Sequence, residues 1–276
     1  MAHWIRFERG GAIGFGTLLA SRVLVHQGDL FAGASPTGEE LALETVRLLA
    51  PVRPSKFFGL VNNFREGVAK AGLAVPAEPL WFLKAPSSLL DPGAPIPLPG
   101  PEAGKVIYEG ELGLVIGRVA RNVGEAEAEQ FIFGLTCVND VTALDLLGRD
   151  PAFPQWARAK SFDGFGPLGP AIATGLDWRT LTVRTRLKGK LRQEYACSDM
   201  IHQPAALVSR LSRELTLLPG DVIACGTSVG IGVLRPGSTV EVSIEGVGSL
   251  FNPVVGSVID SVTDSVTDPA LRSEQR

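Results

Sequence analysis

Apolar and polar positions along the chain predict a protein built mostly of short strands. Side chains alternate between the two faces of a strand, and the segments Trp4–Glu8, Gly11–Leu19 and Arg22–Gln27 read as three strands broken by Gly-Gly and Ala-Ser turns. Thr37-Gly38-Glu39-Glu40 resembles a capping box opening a short helix through Leu48. Pro51-Val52-Arg53-Pro54 reads as a hinge. After it come a buried strand at Lys56–Val61, a helix over Glu66–Ala71 stopped by Gly72, and a strand at Pro79–Lys84. Residues 106–117 form the central strand, apolar on both faces from Leu112 to Ile116 and therefore entering a core. Glu125–Phe133 fits a helix stopped by Gly134, and Thr136–Asp140 a short strand ending in a carboxylate. The Gly- and Pro-rich stretch 155–174 reads as a shaped loop. Strands at Leu181–Leu187 and Lys190–Glu194 flank a tight turn at Lys188-Gly189, and Pro204–Leu215 is an amphipathic helix with Pro near its start. Val222–Cys225 is an apolar strand, and Val233–Leu250 returns as two strands around Gly246.

The resulting fold class is α+β and β-rich. It divides into a small N-terminal β domain over 1–52, a main domain over 53–256 and a polar, mobile tail over 257–276.

Composition narrows the function. Hydrophobic residues make up 45% of the 276, enough for a sizeable core, and the formal charge is −3. No Lys/Arg block suggests a nucleic-acid or anionic-membrane partner, and no apolar stretch is long enough to span a bilayer. Cys137, Cys197 and Cys225 are scattered without a C-x-x-C, which suits a reducing compartment; no signal peptide opens the chain, so a cytoplasmic location is expected. His3, His26 and His202 each stand alone and read as ordinary surface or turn residues.

Candidate chemistry starts at Glu109 and Glu111. Two residues apart on a strand, they share a face at the entrance to a core, where like charges repel and lose hydration unless something pairs them. A divalent cation would do so; a solvated strand edge is the alternative. Asp140 is placed either as a third ligand or as the N-cap of a helix over 142–147. Lys160 is either a cation facing substrate oxygens or a lysine lying over its loop. The Gly226–Gly232 loop exposes backbone N–H groups and can cradle an anion; it is neither a P-loop nor a dinucleotide fingerprint.

Seven motifs in order resemble the fumarylacetoacetate hydrolase family over residues 50–255. They are Glu109-x-Glu111-Leu-x-x-Val-Ile-Gly, Asn139-Asp140-Val141-Thr142, Arg158–Asp163, Pro167–Pro170, Pro219–Ile223, Gly226-Thr227 and Glu245–Gly248. The resemblance implies a mixed β-roll with helices packed outside, a homodimer, and Mg²⁺ or Mn²⁺ held by Glu109, Glu111 and Asp140. It also implies Lys160 at the substrate oxygens and Gly226 and Thr227 at the substrate carboxylate; Gln155 is a further candidate substrate contact. Three carboxylates without Cys or His make a hard-oxygen site that suits Mg²⁺, Mn²⁺ or Ca²⁺ over zinc.

The departures from the family pattern are equally specific. Arg65 stands where hydrolases of the family carry a water-activating His, and arginine stays protonated. Glu66 or a metal-bound hydroxide is the candidate replacement for that His. The family's Ala-Arg-Asp reads Ala143-Leu144-Asp145, and Leu147 replaces a glutamine found in acylpyruvate hydrolases. The expected function is metal-dependent hydrolysis of a C–C bond in a small β-diketo or 2-oxo acid. Decarboxylation or enol–keto isomerisation of a 2-oxo dicarboxylic acid is the first alternative, and a catalytically inactive binding protein the second.

Overall fold

The computed structural model describes residues 1–256, and the expected tail over 257–276 lies outside them. Strands dominate, in two mixed sheets and one small antiparallel sheet, with helices packed outside. The largest sheet begins at Ser35–Ala42 and runs through Arg22–Gln27, Ala12–Leu19 and His3–Arg9 to Gly166–Ala173. It continues through Ile132–Asn139, Gly110–Ile116, Val222–Ala224 and Phe57–Val61 to Leu80–Lys84. The N-terminal strands are hydrogen-bonded into this sheet, with Trp4 opposite Ile172.

The Gly110–Ile116 strand owes its two-sided apolar character to two cores. Leu112, Leu114 and Ile116 face one with the helix Pro204–Glu214, while Val115 faces the other with Val138, Ile172 and Val222. Each such side chain contributes about 1.5–3 kcal/mol on burial. Gly110 lies where a Cβ would come within 2.0 Å of Thr185 Oγ1, so only glycine lets the five-stranded sheet close over the strand's start.

Four expected elements differ. Residues 37–48 are not a capped helix. Ser35–Ala42 is a strand paired to Arg22–Gln27 with Leu41 buried, and Thr37 Oγ1 accepts from the Glu39 N–H where the pairing shifts register. The helix at Glu125 ends at Ala128, and Gly134 lies inside the strand Ile132–Asn139, where a Cβ would strike Ala173 O at 2.6 Å. Close strand approach, not a helix stop, explains that glycine. The stretch 155–174 is a short helix, Trp156–Lys160, followed by the buried strand Gly166–Ala173. The central strand is interrupted at Glu109: Val106–Tyr108 pairs with Thr142–Ala143, whereas Gly110–Ile116 pairs with Ile132–Asn139.

Other elements fall where the pattern places them. Gly72, at φ +66°, ends the helix Arg65–Lys70. Lys188 and Gly189, at φ 51° and 74°, make the hairpin turn with both central residues left-handed. Asp221 of the Pro219–Asp221 turn is fully buried and structural: Oδ1 accepts from Ser55 Oγ and Lys56 N, and Oδ2 pairs with Lys56 Nζ at 2.7 Å. Among the described residues no helix is long and apolar enough to cross a membrane.

Candidate metal centre and its cavity

Glu109, Glu111 and Asp140 converge, each offering one carboxylate oxygen within 4.8 Å of the others. Glu111 comes from the start of the central strand, Glu109 from the break before it, and Asp140 from the end of the neighbouring strand. The break is itself held in place. Asn139 Oδ1 accepts from the Glu109 N–H at 3.1 Å, and the Asp140 N–H donates to Glu109 O at 2.8 Å. Asp140 caps no helix; the short helix Leu144–Leu147 has Ala143 at its N-cap.

Two lysines complete the cluster. Lys160 Nζ lies 2.6 Å from Glu109 Oε2 and also pairs with Asp140 Oδ2. It is buried, and its ammonium stands 4.9 Å from the centre of the Phe82 ring. The second lysine is Lys84, which the sequence reading did not single out. Its Nζ lies 2.6 Å from Asp140 Oδ1 and donates to Val141 O at 3.3 Å, with no side-chain exposure. Its only sequence signal is a charge closing the otherwise apolar strand Leu80–Lys84.

The electrostatics separate the three acids. Burial pushes the Glu111 carboxyl well above the usual range, and the charges of Asp140 and Glu109 push the same way. Burial also raises Glu109, against the pull of Lys160. Burial would raise Asp140 too, but Lys160 and Lys84 outweigh it and hold that carboxyl below its ordinary value. Burial lowers Lys84, whereas at Lys160 the surrounding carboxylates outweigh burial and raise it.

Glu111 shows what the cluster lacks. Its Oε2 accepts from the Gly226 N–H at 2.7 Å, while Oε1 is buried without a partner. An orphaned buried carboxylate oxygen beside two other acids fits a divalent cation. The donor set is all oxygen, the chemistry of hard cations.

A cavity of about 270 Å³ opens beside the cluster. Glu109, with 14% of its side chain exposed, reaches it together with Lys160, Thr142, Thr227 and Ser228. Ser228 Oγ is buried and unpartnered. Leu60, Phe64, Val68, Leu144, Leu147 and Trp156 make much of the remaining wall.

Five expected contacts are placed elsewhere or are already engaged. Arg65 is exposed, its guanidinium donating to Asp199 O and Met200 O at 3.1 and 2.7 Å. Glu66 is exposed and outside the cavity wall, because the helix turns Phe64, Gly67 and Val68 inward instead. Gln155 lines a separate depression with Phe153 and Arg158. Gly226 spends its N–H on Glu111, and the Thr227 hydroxyl donates to Gly110 O while accepting from Gln193 Nε2. Gln193, which the sequence reading also passed over, is fully buried and ties this loop to the central strand through Gly110 N.

Comparison with known proteins follows the same lines. Residues 56–255 match the family model for the C-terminal domain of fumarylacetoacetate hydrolases, and residues 2–51 match a model described as Rv2993c-like, N-terminal. The chain is 43% identical to protein Rv2993c of Mycobacterium tuberculosis over 222 residues, 79% of this chain and 82% of that one. It is 35% identical to the mitochondrial oxaloacetate tautomerase fahd2 of Xenopus laevis, over 78% of this chain and 70% of that one. Among solved structures, the 2-hydroxyhepta-2,4-diene-1,7-dioate isomerase of Mycobacterium marinum is similar at a TM-score of 0.84 and 36% identity, covering 94% of this chain and all of that one. The maleylpyruvate hydrolase of Sphingobium sp., solved with manganese and pyruvate, is similar at 0.75 and 25%, covering 93% of this chain and all of that one.

Proposed function

Because the chain belongs to the fumarylacetoacetate hydrolase family, we propose that it is an enzyme of small 2-oxo acids that interconverts their enol and keto forms at a Mg²⁺ or Mn²⁺ site made by Glu109, Glu111 and Asp140. The ion, when bound, supplies Lewis-acid stabilisation of negative charge on the substrate's oxygens.

The observation that carries this reading is the make-up of the cavity wall. A general base for water must come within about 3 Å of the proton it takes. Among the described residues lining the cavity there is no histidine, and Glu66, the expected replacement base, is exposed and outside it. Hydrolysis of a C–C bond needs an activated water. Tautomerisation consumes none: the enol oxygen loses a proton, the adjacent carbon gains one, and no bond between carbons breaks.

The chain's own residues suit that exchange. Lys160 holds a proton on Nζ at the cavity wall and places positive charge where an enolate oxygen develops. Lys84 and Lys160 fix the Asp140 carboxylate from both oxygens, so the site does not reorganise as charge shifts. Apolar side chains around Lys160 keep the dielectric low, which strengthens its interaction with an anion. An inactive binding role fits less well. Three converging acids with an orphaned oxygen are costly to bury, and a protein without metal chemistry has no use for them.

The test follows absorbance of the freshly dissolved enols of acetylpyruvate and oxaloacetate with Mn²⁺, and assays pyruvate in parallel. Faster loss of the acetylpyruvate enol without pyruvate release is expected. Stoichiometric pyruvate from acetylpyruvate would establish hydrolysis instead, and from oxaloacetate, decarboxylation.

A further inference from the structure

We infer that the cavity selects 2-oxo monocarboxylic acids with a short apolar tail and discriminates against dicarboxylic acids of the same length. The inference rests on the reading of the site as a 2-oxo acid site. Two independent observations lead to it.

The first is charge. Glu109, Glu111 and Asp140 bring three negative charges, and Lys84 and Lys160 two positive ones. A divalent cation leaves the cluster at plus one. One substrate carboxylate balances that; a second leaves a net negative charge in a small, low-dielectric space. Among the described residues that line the cavity, Lys160 is the only cation, and it already pairs with Glu109 and Asp140. Arg65 on the neighbouring helix is engaged with the carbonyls of Asp199 and Met200. Arg158 lies in the separate depression.

The second is the wall. Leu60, Phe64, Val68, Leu144, Leu147 and Trp156 make much of it, and its polar side chains other than Glu109 and Lys160, namely Asn62, Thr142, Thr227 and Ser228, are neutral and bring no positive charge to a distal carboxylate. Leu144 lines the cavity with 40% exposure, at its mouth. An unpaired carboxylate against such side chains loses hydration without compensation, whereas an alkyl tail gains from leaving water. The specificity residues are therefore Leu144 and Leu147, which carry the far end of the substrate.

Calorimetry on the Mn²⁺-loaded full chain tests this without relying on turnover. Oxamate, a monoanionic mimic of the 2-oxo acid head, is titrated first, then 2-oxohexanoate and 2-oxoadipate, which share six carbons and differ at the far end. The expected result is oxamate binding, with 2-oxohexanoate at least ten-fold tighter than 2-oxoadipate. Leu144→Arg reverses the order of 2-oxohexanoate and 2-oxoadipate, and Leu144→Met, a volume-conserving control, keeps it. Equal or tighter binding of 2-oxoadipate to the wild-type chain overturns the inference while oxamate binding upholds the site. Loss of oxamate binding as well, with Mn²⁺ still bound, overturns both.

Discussion

Lys84 Nζ stands 2.6 Å from Asp140 Oδ1, and neither side chain has any exposed surface. The pair joins the edge strand Leu80–Lys84 to the end of Ile132–Asn139, two elements four strands apart in the sheet order. Removing one member of a buried pair leaves the other charge without compensation, at a cost of about 3–5 kcal/mol. Lys160 still contacts Asp140, which limits the damage. Lys84→Met is therefore expected to lower unfolding stability by about 3 kcal/mol, read from urea denaturation without metal. Added Mn²⁺ should recover part of the loss, since the ion supplies the missing positive charge. A change below about 1 kcal/mol would mean the pair is solvated rather than buried.

Glu111→Gln separates folding from metal binding. The amide oxygen can keep the hydrogen bond from Gly226 N, and the substitution removes a buried charge whose second oxygen has no partner. The metal-free variant should be at least as stable as the wild type. Its Mn²⁺ affinity should fall about 100-fold, equivalent to about 2.7 kcal/mol. Denaturation with and without Mn²⁺ reports both quantities, because an ion that binds only the folded state stabilises in proportion to the logarithm of its concentration over Kd. Equal stabilisation of both forms by Mn²⁺ would place the ion away from Glu111.

How much of this was legible in the sequence depends on whether the signal is local. The pair Glu109 and Glu111 is readable because strand periodicity puts both on one face at the start of an apolar run. Yet the strand breaks at Glu109, a consequence of Asn139 and Asp140 gripping its backbone from 30 residues away. Lys84 and Gln193 escaped because a lone polar residue in a strand looks the same whether it faces solvent or a distant carboxylate. Gly134 misled for a related reason: glycine marks both a helix stop and a close strand crossing, and only the Ala173 carbonyl decides between them.

Arg65→His is expected to create no hydrolase. The side chain at position 65 points to the 199–200 carbonyls, so a histidine there would lie outside the cavity wall. Pyruvate release from acetylpyruvate should stay at the wild-type level, and stability should fall by no more than about 1 kcal/mol for the loss of one exposed and one partly buried hydrogen bond. A gain of pyruvate release would show that the helix Arg65–Lys70 moves inward and that hydrolysis lacks only its base.

The three buried thiols predict a loss of stability in alkali. Burial pushes Cys197 up to about 12, and Cys137 and Cys225 rise for the same reason. In the unfolded chain a thiol titrates near the ordinary value of 9.0. The folded state then holds protons that the unfolded state releases, so the stability these groups contribute is complete below pH 9 and is lost as pH rises toward their folded values. Each thiol makes the slope about 1.4 kcal/mol per pH unit steeper above that point. Buried Tyr195 adds to the loss at higher pH. Urea midpoints should be flat from pH 7 to 8.5 and decline by pH 10, and Cys197→Ala should shallow the decline. A thiol reagent should label the protein at pH 8 only as fast as it unfolds. Rapid labelling of the native chain would contradict the burial of all three.

Gln193 makes the last distinction, between holding the ion and holding the substrate. Its Oε1 accepts from Gly110 N at 3.0 Å, and its Nε2 donates to Thr227 Oγ1 at 2.9 Å, with Ser228 O and Val229 O at 3.3 Å. It thus connects the start of the central strand to the loop that brings Thr227 and Ser228 to the cavity. Gln193→Met fills a similar volume but leaves Gly110 N and the loop carbonyls unpaired. Each buried group left unsatisfied costs about 1–3 kcal/mol, so a total loss of about 2–3 kcal/mol is expected after partial relaxation. Glu111 keeps its hydrogen bond from Gly226 N, so Mn²⁺ affinity should change by less than about three-fold, within 1 kcal/mol. Oxamate affinity should fall about ten-fold, because the wall carrying Thr227 and Ser228 is no longer pinned, and ten-fold corresponds to 1.4 kcal/mol. Calorimetry with each ligand separates the two effects. Parallel losses of ion and oxamate affinity would mean that Gln193 supports the carboxylate cluster itself rather than the loop beside it.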